Sequence, residues 1–179
     1  MRILVASAFL LLFAQVCVQP LAAQQSQLPF EETQLGRNHV LRASFPANPE
    51  KSYSAFRLFG QLVNGRTLTA EGQDGLAYRL YVLNLPEGVQ RSEQEWVEEG
   101  LRMLTGNTEF RRQATVEPLA MPLNTPYRAW SVDYRPGSGP NQYVTVYIVE
   151  DKLYLAEAEY MADNYRQAEL FTDAISVYR

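Results

Sequence analysis

Residues Tyr143–Tyr160 read YVTVYIVEDKLYLAEAEY. Two runs of alternating aromatic, β-branched and aliphatic residues flank the polar pair Glu150-Asp151. Such runs favour extended backbone, and so short a connection joins neighbouring strands only in the antiparallel sense. The stretch therefore predicts a tight hairpin, Tyr143–Val149 against Lys152–Tyr160, and with it an antiparallel sheet.

The pattern continues outward in both directions. Tyr127–Tyr134 predicts a strand bounded by Pro126 and by the turn Pro136-Gly137-Ser138-Gly139-Pro140. Asn164 to about Ala174 predicts a helix, with Asn164 as its cap and Ala168, Phe171 and Ile175 as its buried stripe. Upstream, Leu76–Leu85 (LAYRLYVLNL) predicts a central strand closed by Pro86. Asn64-Gly65, between Ala55–Val63 and Arg66–Ala70, predicts a two-residue hairpin turn because both turn positions need positive φ. Gly72–Gly75 predicts another turn. His39–Phe45, stopped by Pro46 and Pro49, and Arg112–Leu119 complete the expected strands.

Ser92–Leu104 carries the clearest helical period. Ser92 and Glu95 form a capping-box pair, Trp96, Val97, Gly100, Leu101 and Leu104 share one face, and Gly106 offers a stop. Strands, helix, strands, helix is the order of an α+β domain over residues 39–179. Its antiparallel β-sheet is packed by a mid-chain helix and a C-terminal helix.

The start of the chain has a different character. Met1-Arg2 is positive, Ile3–Ala14 is almost wholly apolar, and Leu21-Ala22-Ala23 supplies small residues after the Gln19-Pro20 break. This three-part pattern predicts a signal peptide over residues 1–23 and a periplasmic or secreted protein of bacterial type. The apolar run falls short of the roughly 20 residues that span a bilayer. Residues 24–38 are polar, Gln-rich and aperiodic, which predicts a flexible leader. Cys17 follows Gln15-Val16 rather than the small residue a lipidation site wants, and is read as lost with the signal. The mature chain is then free of cysteine, which excludes disulfides, thiol catalysis and thiolate metal sites. No second long apolar segment follows, so no membrane span is expected after cleavage.

With 16 Lys+Arg against 20 Asp+Glu, and only two lysines, Lys51 and Lys152, the chain lacks the basic surface that nucleic acid requires. Arg111-Arg112 is too short to supply it. The only histidine, His39, has no nucleophile-elbow serine to serve and no companions for a zinc site, so neither catalysis nor a metal is expected there. Glu93, Glu95, Glu98 and Glu99 could hold a hard cation, but a solvated helix face is the preferred reading. Glu157 and Glu159 share a strand face and could act as paired acids; again a solvated face is preferred. No phosphate-cradling glycine motif or dinucleotide fingerprint occurs, so no cofactor is expected. The candidate binding residues are aromatic. Trp130 and Tyr134 alternate onto one strand face with Arg128, and Tyr143 and Tyr147 do so on the next strand. Aromatics so placed also build sheet cores, which is the preferred reading.

Three features resemble the PsbP-like fold family, including its small exported bacterial members. They are Ser44-Phe45-Pro46-Ala47-Asn48-Pro49-Glu50, the helix after a Tyr-rich strand, and the ending that pairs Lys152-Leu153-Tyr154-Leu155 with Phe171-Thr172-Asp173-Ala174-Ile175. Many relatives end FxxSF, from which Ala174-Ile175 departs. The resemblance covers roughly residues 39–179 and implies an α+β fold and a binding or assembly role; it transfers no ligand and no site residue. The expected function is an exported, non-enzymatic module acting on a protein or envelope component. The alternatives are a carrier of a small apolar ligand or lipid and a carboxylate-dependent hydrolase.

Overall fold

The Tyr143–Tyr160 stretch forms an antiparallel hairpin, β8 (Asn141–Val149) against β9 (Lys152–Tyr160), with Val149 opposite Lys152 and Glu150 turning at φ 51°. The remaining elements of this computed structural model assemble around it. They are β1 (Phe30–Leu35), β2 (His39–Ser44), β3 (Glu50–Leu58), β4 (Gln61–Glu71), β5 (Ala77–Asn84), α1 (Glu93–Thr105), β6 (Glu117–Leu119), β7 (Ala129–Tyr134), α2 (Tyr165–Asp173) and β10 (Ser176–Tyr178). The structure describes residues 30–35, 39–73, 75–105, 117–119, 129–135, 139–173 and 175–178.

Seven strands form one antiparallel sheet in the order β3-β4-β5-β9-β8-β7-β6. Its central strands are buried on both faces. β9 sends Tyr154, Ala156, Ala158 and Tyr160 into one core and Leu153 and Leu155 into the other. β5 divides likewise, with Tyr78, Leu80 and Val82 on one side and Leu83 on the other. That two-sided burial is why both strands read as nearly continuous apolar runs. α1 covers one face with Trp96, Val97 and Leu101. A Cβ at Gly100 would lie 2.9 Å from both Leu153 and Leu155, so helix and sheet touch directly here. α2 covers the opposite face through Ala168 and Phe171, beside Leu41, Ala43 and Phe45 of the β2 segment. The Phe171 ring lies 5.3 Å from the rings of both Phe45 and Tyr78. Each large apolar side chain so buried contributes about 1.5–3 kcal/mol before entropy costs. The α+β class, the antiparallel sheet and both packed helices are as the sequence predicts.

Local details depart from the sequence reading. The turn after the first long strand is at Phe59-Gly60, not Asn64-Gly65: Phe59 and Gly60 adopt φ 47° and 82°. Asn64 and Gly65 lie inside β4, opposite Ala55 and Ser54. Gly65 is there for space, since a Cβ would fall 2.4 Å from Leu83 Cδ2 and 2.7 Å from the Phe56 ring. The Asn-Gly signal is local, whereas register follows the packing of Phe56 and Leu58 against α1. Phe30–Leu35, within the segment expected to be a flexible leader, is a strand paired antiparallel with β2. β10 joins the other side of β2, giving a small sheet of order β1-β2-β10 that a local reading does not foresee. Of the expected Arg112–Leu119 strand, Glu117–Leu119 is β6; the rest, with Arg111, lies outside the described residues. So do residues 1–23, Gly106 and most of the Pro136–Pro140 turn.

Candidate functional site

The aromatic candidates do not converge. Trp130 and Tyr134 of β7 face the α1 side, while Tyr143 and Tyr147 of β8 face the α2 side. Tyr134, Tyr143 and Tyr147 are buried and Trp130 is half-buried. Tyr143 packs edge-on against Tyr165, and Tyr165 against Tyr160, at 5.8 and 5.1 Å between ring centres. These four residues are wall and filling of the two cores. Arg128 lies outside the described residues. His39 opens β2.

The paired acids do converge, on residues the sequence reading passed over. Glu157 on β9 lies opposite Arg79 on β5. Arg79 Nη1 donates to Glu157 Oε1 at 3.1 Å and to Glu159 Oε1 at 2.9 Å. The Tyr81 hydroxyl donates to Glu157 Oε2 at 3.0 Å. Glu157 is 3% exposed, so the expectation of a solvated face is overturned there. Burial pushes the Glu157 carboxyl above its usual range, against the opposing pull of the Arg79 charge and the Tyr81 hydrogen bond. The Tyr81 phenol is pushed up by burial and by the Glu157 charge beside it. Burial disfavours the Arg79 cation, but the Glu157 charge and the Glu159 hydrogen bond outweigh it and raise its pKa. Both oxygens of Glu157 are engaged by protein donors of β5, which ties β9 to β5. A signal for Arg79 was present: Arg79 and Tyr81 alternate onto one face of an otherwise apolar strand.

The helix glutamates scatter. Glu95 closes the capping box, accepting from Ser92 N and Oγ at 2.9 Å each, and the Ser92 bonds hold its carboxyl below the usual range. Glu98 accepts from Gln94 at 3.2 Å. Glu99, expected on a solvated face, is 4% exposed; it accepts from the Phe59 amide at 2.5 Å and from Arg102 Nε at 2.8 Å. The α1 period places Glu99 three residues after Trp96 and three before Arg102, at the margin of the apolar stripe. Among the described residues no group of three His, Cys, Asp or Glu is arranged to hold a metal ion.

A second polar knot lies on the α2 side. Tyr160 Oη donates to Asp133, which also accepts from Arg135 Nε at 2.9 Å and Nη2 at 2.6 Å. Burial and the Asp133 hydrogen bond push the Tyr160 phenol up to about 12.

Among the described residues the most open feature is the sheet's β3 margin. β3 is exposed on both faces from Glu50 to Ala55. Tyr53 on β3 and Leu62 on β4 are 77% and 68% exposed, the two most exposed large apolar side chains among the described residues. Register places Tyr53 opposite Arg66 and Leu62 opposite Arg57. Tyr53, Leu62, Arg57 and Arg66 therefore share one face.

No family model, curated protein or solved structure matches this chain. Among the described residues no helix is long and apolar enough to cross a membrane.

Proposed function

We propose that this chain is an exported, non-enzymatic binding module that engages a protein of the cell envelope through the β3 margin of its sheet. The observation that carries the reading is the doubly exposed edge strand, with Tyr53 and Arg57 on the same face as Arg66 and Leu62 of β4. A strand exposed on both faces at the end of a sheet offers main-chain groups and side chains to a partner. The signal pattern in residues 1–23 supports export. The PsbP-like resemblance, with its binding and assembly roles, points the same way. The hydrolase reading loses its nucleus because both Glu157 oxygens are engaged by Arg79 and Tyr81. The lipid-carrier reading is weakened where Gly100 presses α1 onto Leu153 and Leu155.

The test is photocrosslinking in the host envelope, with the reactive residue placed at Tyr53, at Leu62, or at Leu170 on the α2 surface, which is 52% exposed. One protein, identified by mass spectrometry from Tyr53 and Leu62 and absent from Leu170, is the expected result. Equal labelling from all three positions, or none from the β3 margin, would remove the proposal.

A further inference from the structure

We propose that Asn64 is a site of spontaneous deamidation kept closed by the β3–β4 ladder, so that the chain is modified there only when the edge hairpin opens. Asn64 is the only asparagine in the chain that is followed by glycine. Asparagine is thermolabile, and glycine, which has no Cβ, leaves the following amide nitrogen unshielded. The pair lies outside the turn its chemistry favours. It sits inside β4, with Asn64 opposite Ala55 and Gly65 opposite both Ser54 and Leu83.

The reaction needs only water. The Gly65 amide nitrogen gives up its proton and attacks Asn64 Cγ. The N–Cγ bond forms, the Cγ–Nδ2 bond breaks, and ammonia leaves with that proton, closing a five-membered imide. Water then opens the ring. Cleavage of the new N–Cγ bond gives an aspartyl residue. Cleavage between the Gly65 nitrogen and the Asn64 carbonyl carbon gives an isoaspartyl residue, whose main chain is one carbon longer. Both products carry a carboxylate where the amide was.

The ladder withholds the nucleophile. Leu58 and Gln61 flank the Phe59-Gly60 turn and form the first bonded pair. Antiparallel alternation makes Phe56–Val63 and Ser54–Gly65 the next bonded pairs, so the Gly65 N–H donates to the Ser54 carbonyl. The imide ring contains the Asn64 carbonyl carbon and the Gly65 nitrogen, so this peptide must leave the extended ladder to form it. The Asn64 side chain is itself exposed, which makes the main chain the gate. β3 ends the seven-stranded order and is exposed from Glu50 to Ala55, so Ser54 can part from Gly65 while β4 stays paired with β5. Edge openings of this kind lie at the low end of a protein's range of local stabilities. The isoaspartyl product does not fit back. Gly65 occupies a slot where a Cβ would fall 2.4 Å from Leu83 Cδ2, and the extra main-chain carbon displaces Leu68 and Ala70, which face the α2 core. An opening long enough to react is thereby recorded irreversibly.

The experiment incubates the purified protein at mildly alkaline pH, in buffer and in unfolding urea, and follows the peptide containing Asn64 by mass spectrometry. Conversion of amide to carboxyl should be at least about tenfold slower in the folded protein. Hydrogen exchange at the Gly65 amide is measured alongside, because it needs the same N–H to be released. Its protection factor should match the slowing of deamidation. Glu99→Ala, which unties the hairpin tip, should lower both by the same factor. The wild-type comparison needs no variant, so it stands even if Glu99→Ala misfolds. Equal conversion in buffer and urea would overturn the gate. Absence of conversion in urea would overturn Asn64 as the site. Slow conversion beside an unprotected Gly65 amide would overturn the ladder as its cause.

Discussion

The carboxylate of Glu99 on α1 accepts a 2.5 Å hydrogen bond from the backbone amide of Phe59, forty residues earlier in the chain. Phe59 sits at φ 47° in the turn that reverses β3 into β4, and its ring stands edge-on to Trp96 at 4.9 Å. One buried acid thus ties the tip of the exposed hairpin to the helix beneath it. Glu99→Ala should cost about 1–3 kcal/mol, because the Phe59 amide loses its acceptor in a part-buried site. Urea unfolding is the check, and a change under about 0.5 kcal/mol, typical of surface sites, would show that the bond is dispensable.

Gly65 is a steric position rather than a turn position. Gly65→Ala should destabilise by about 1–3 kcal/mol through overpacking against Phe56 and Leu83. Adding Phe56→Ala should recover part of that loss, since it vacates the space the new methyl needs. Strict additivity in the double-mutant cycle would contradict the packing described for β4.

Arg79 and Glu157 make stability depend on pH in a definite direction. The folded Glu157 carboxyl is raised above its ordinary value of 4.5 chiefly by burial. Its contribution is therefore fully present below that ordinary value and is lost as pH rises through the higher folded value. Glu157→Gln should remove this part of the pH dependence, so wild-type stability should fall relative to the variant as pH rises above 4.5. Arg79→Leu should cost about 3 kcal/mol at neutral pH, where it strands a buried carboxylate, and less in acid. Denaturant midpoints measured across pH decide it; parallel curves for wild type and Glu157→Gln would refute the assignment.

Phe171 joins α2 to the sheet. Phe171→Ala should cost about 3–5 kcal/mol, because the ring fills the space between Phe45 and Tyr78. Its exposed neighbour Leu170 should tolerate alanine within about 0.5 kcal/mol. Thermal melts of both variants separate the two faces of the helix, and equal losses would mean α2 is rotated from the position described.

The candidate site was legible in pieces. That Glu157 and Glu159 share a face follows from strand period alone, and the Ser92–Glu95 box follows from spacing. The partner that neutralises the acids, Arg79, could not be assigned without knowing that β5 lies beside β9, because those strands are some 70 residues apart. The same gap explains the misplaced turn. Asn64-Gly65 has the better turn chemistry, but Phe59-Gly60 lets Phe56 and Leu58 reach the α1 core.

By itself the sequence determined the fold class, the β8–β9 hairpin, the capped start of α1 and the buried stripe of α2. Those properties depend on residues within one or two turns or strands of each other, where period and propensity act directly. Strand order, the face each aromatic occupies, the small sheet that gathers Phe30–Leu35 and Ser176–Tyr178 onto β2, and the burial of Glu99 and Glu157 were decided only by tertiary structure. Their energies come from pairings between distant segments, in which register, desolvation and available space override what any local stretch prefers.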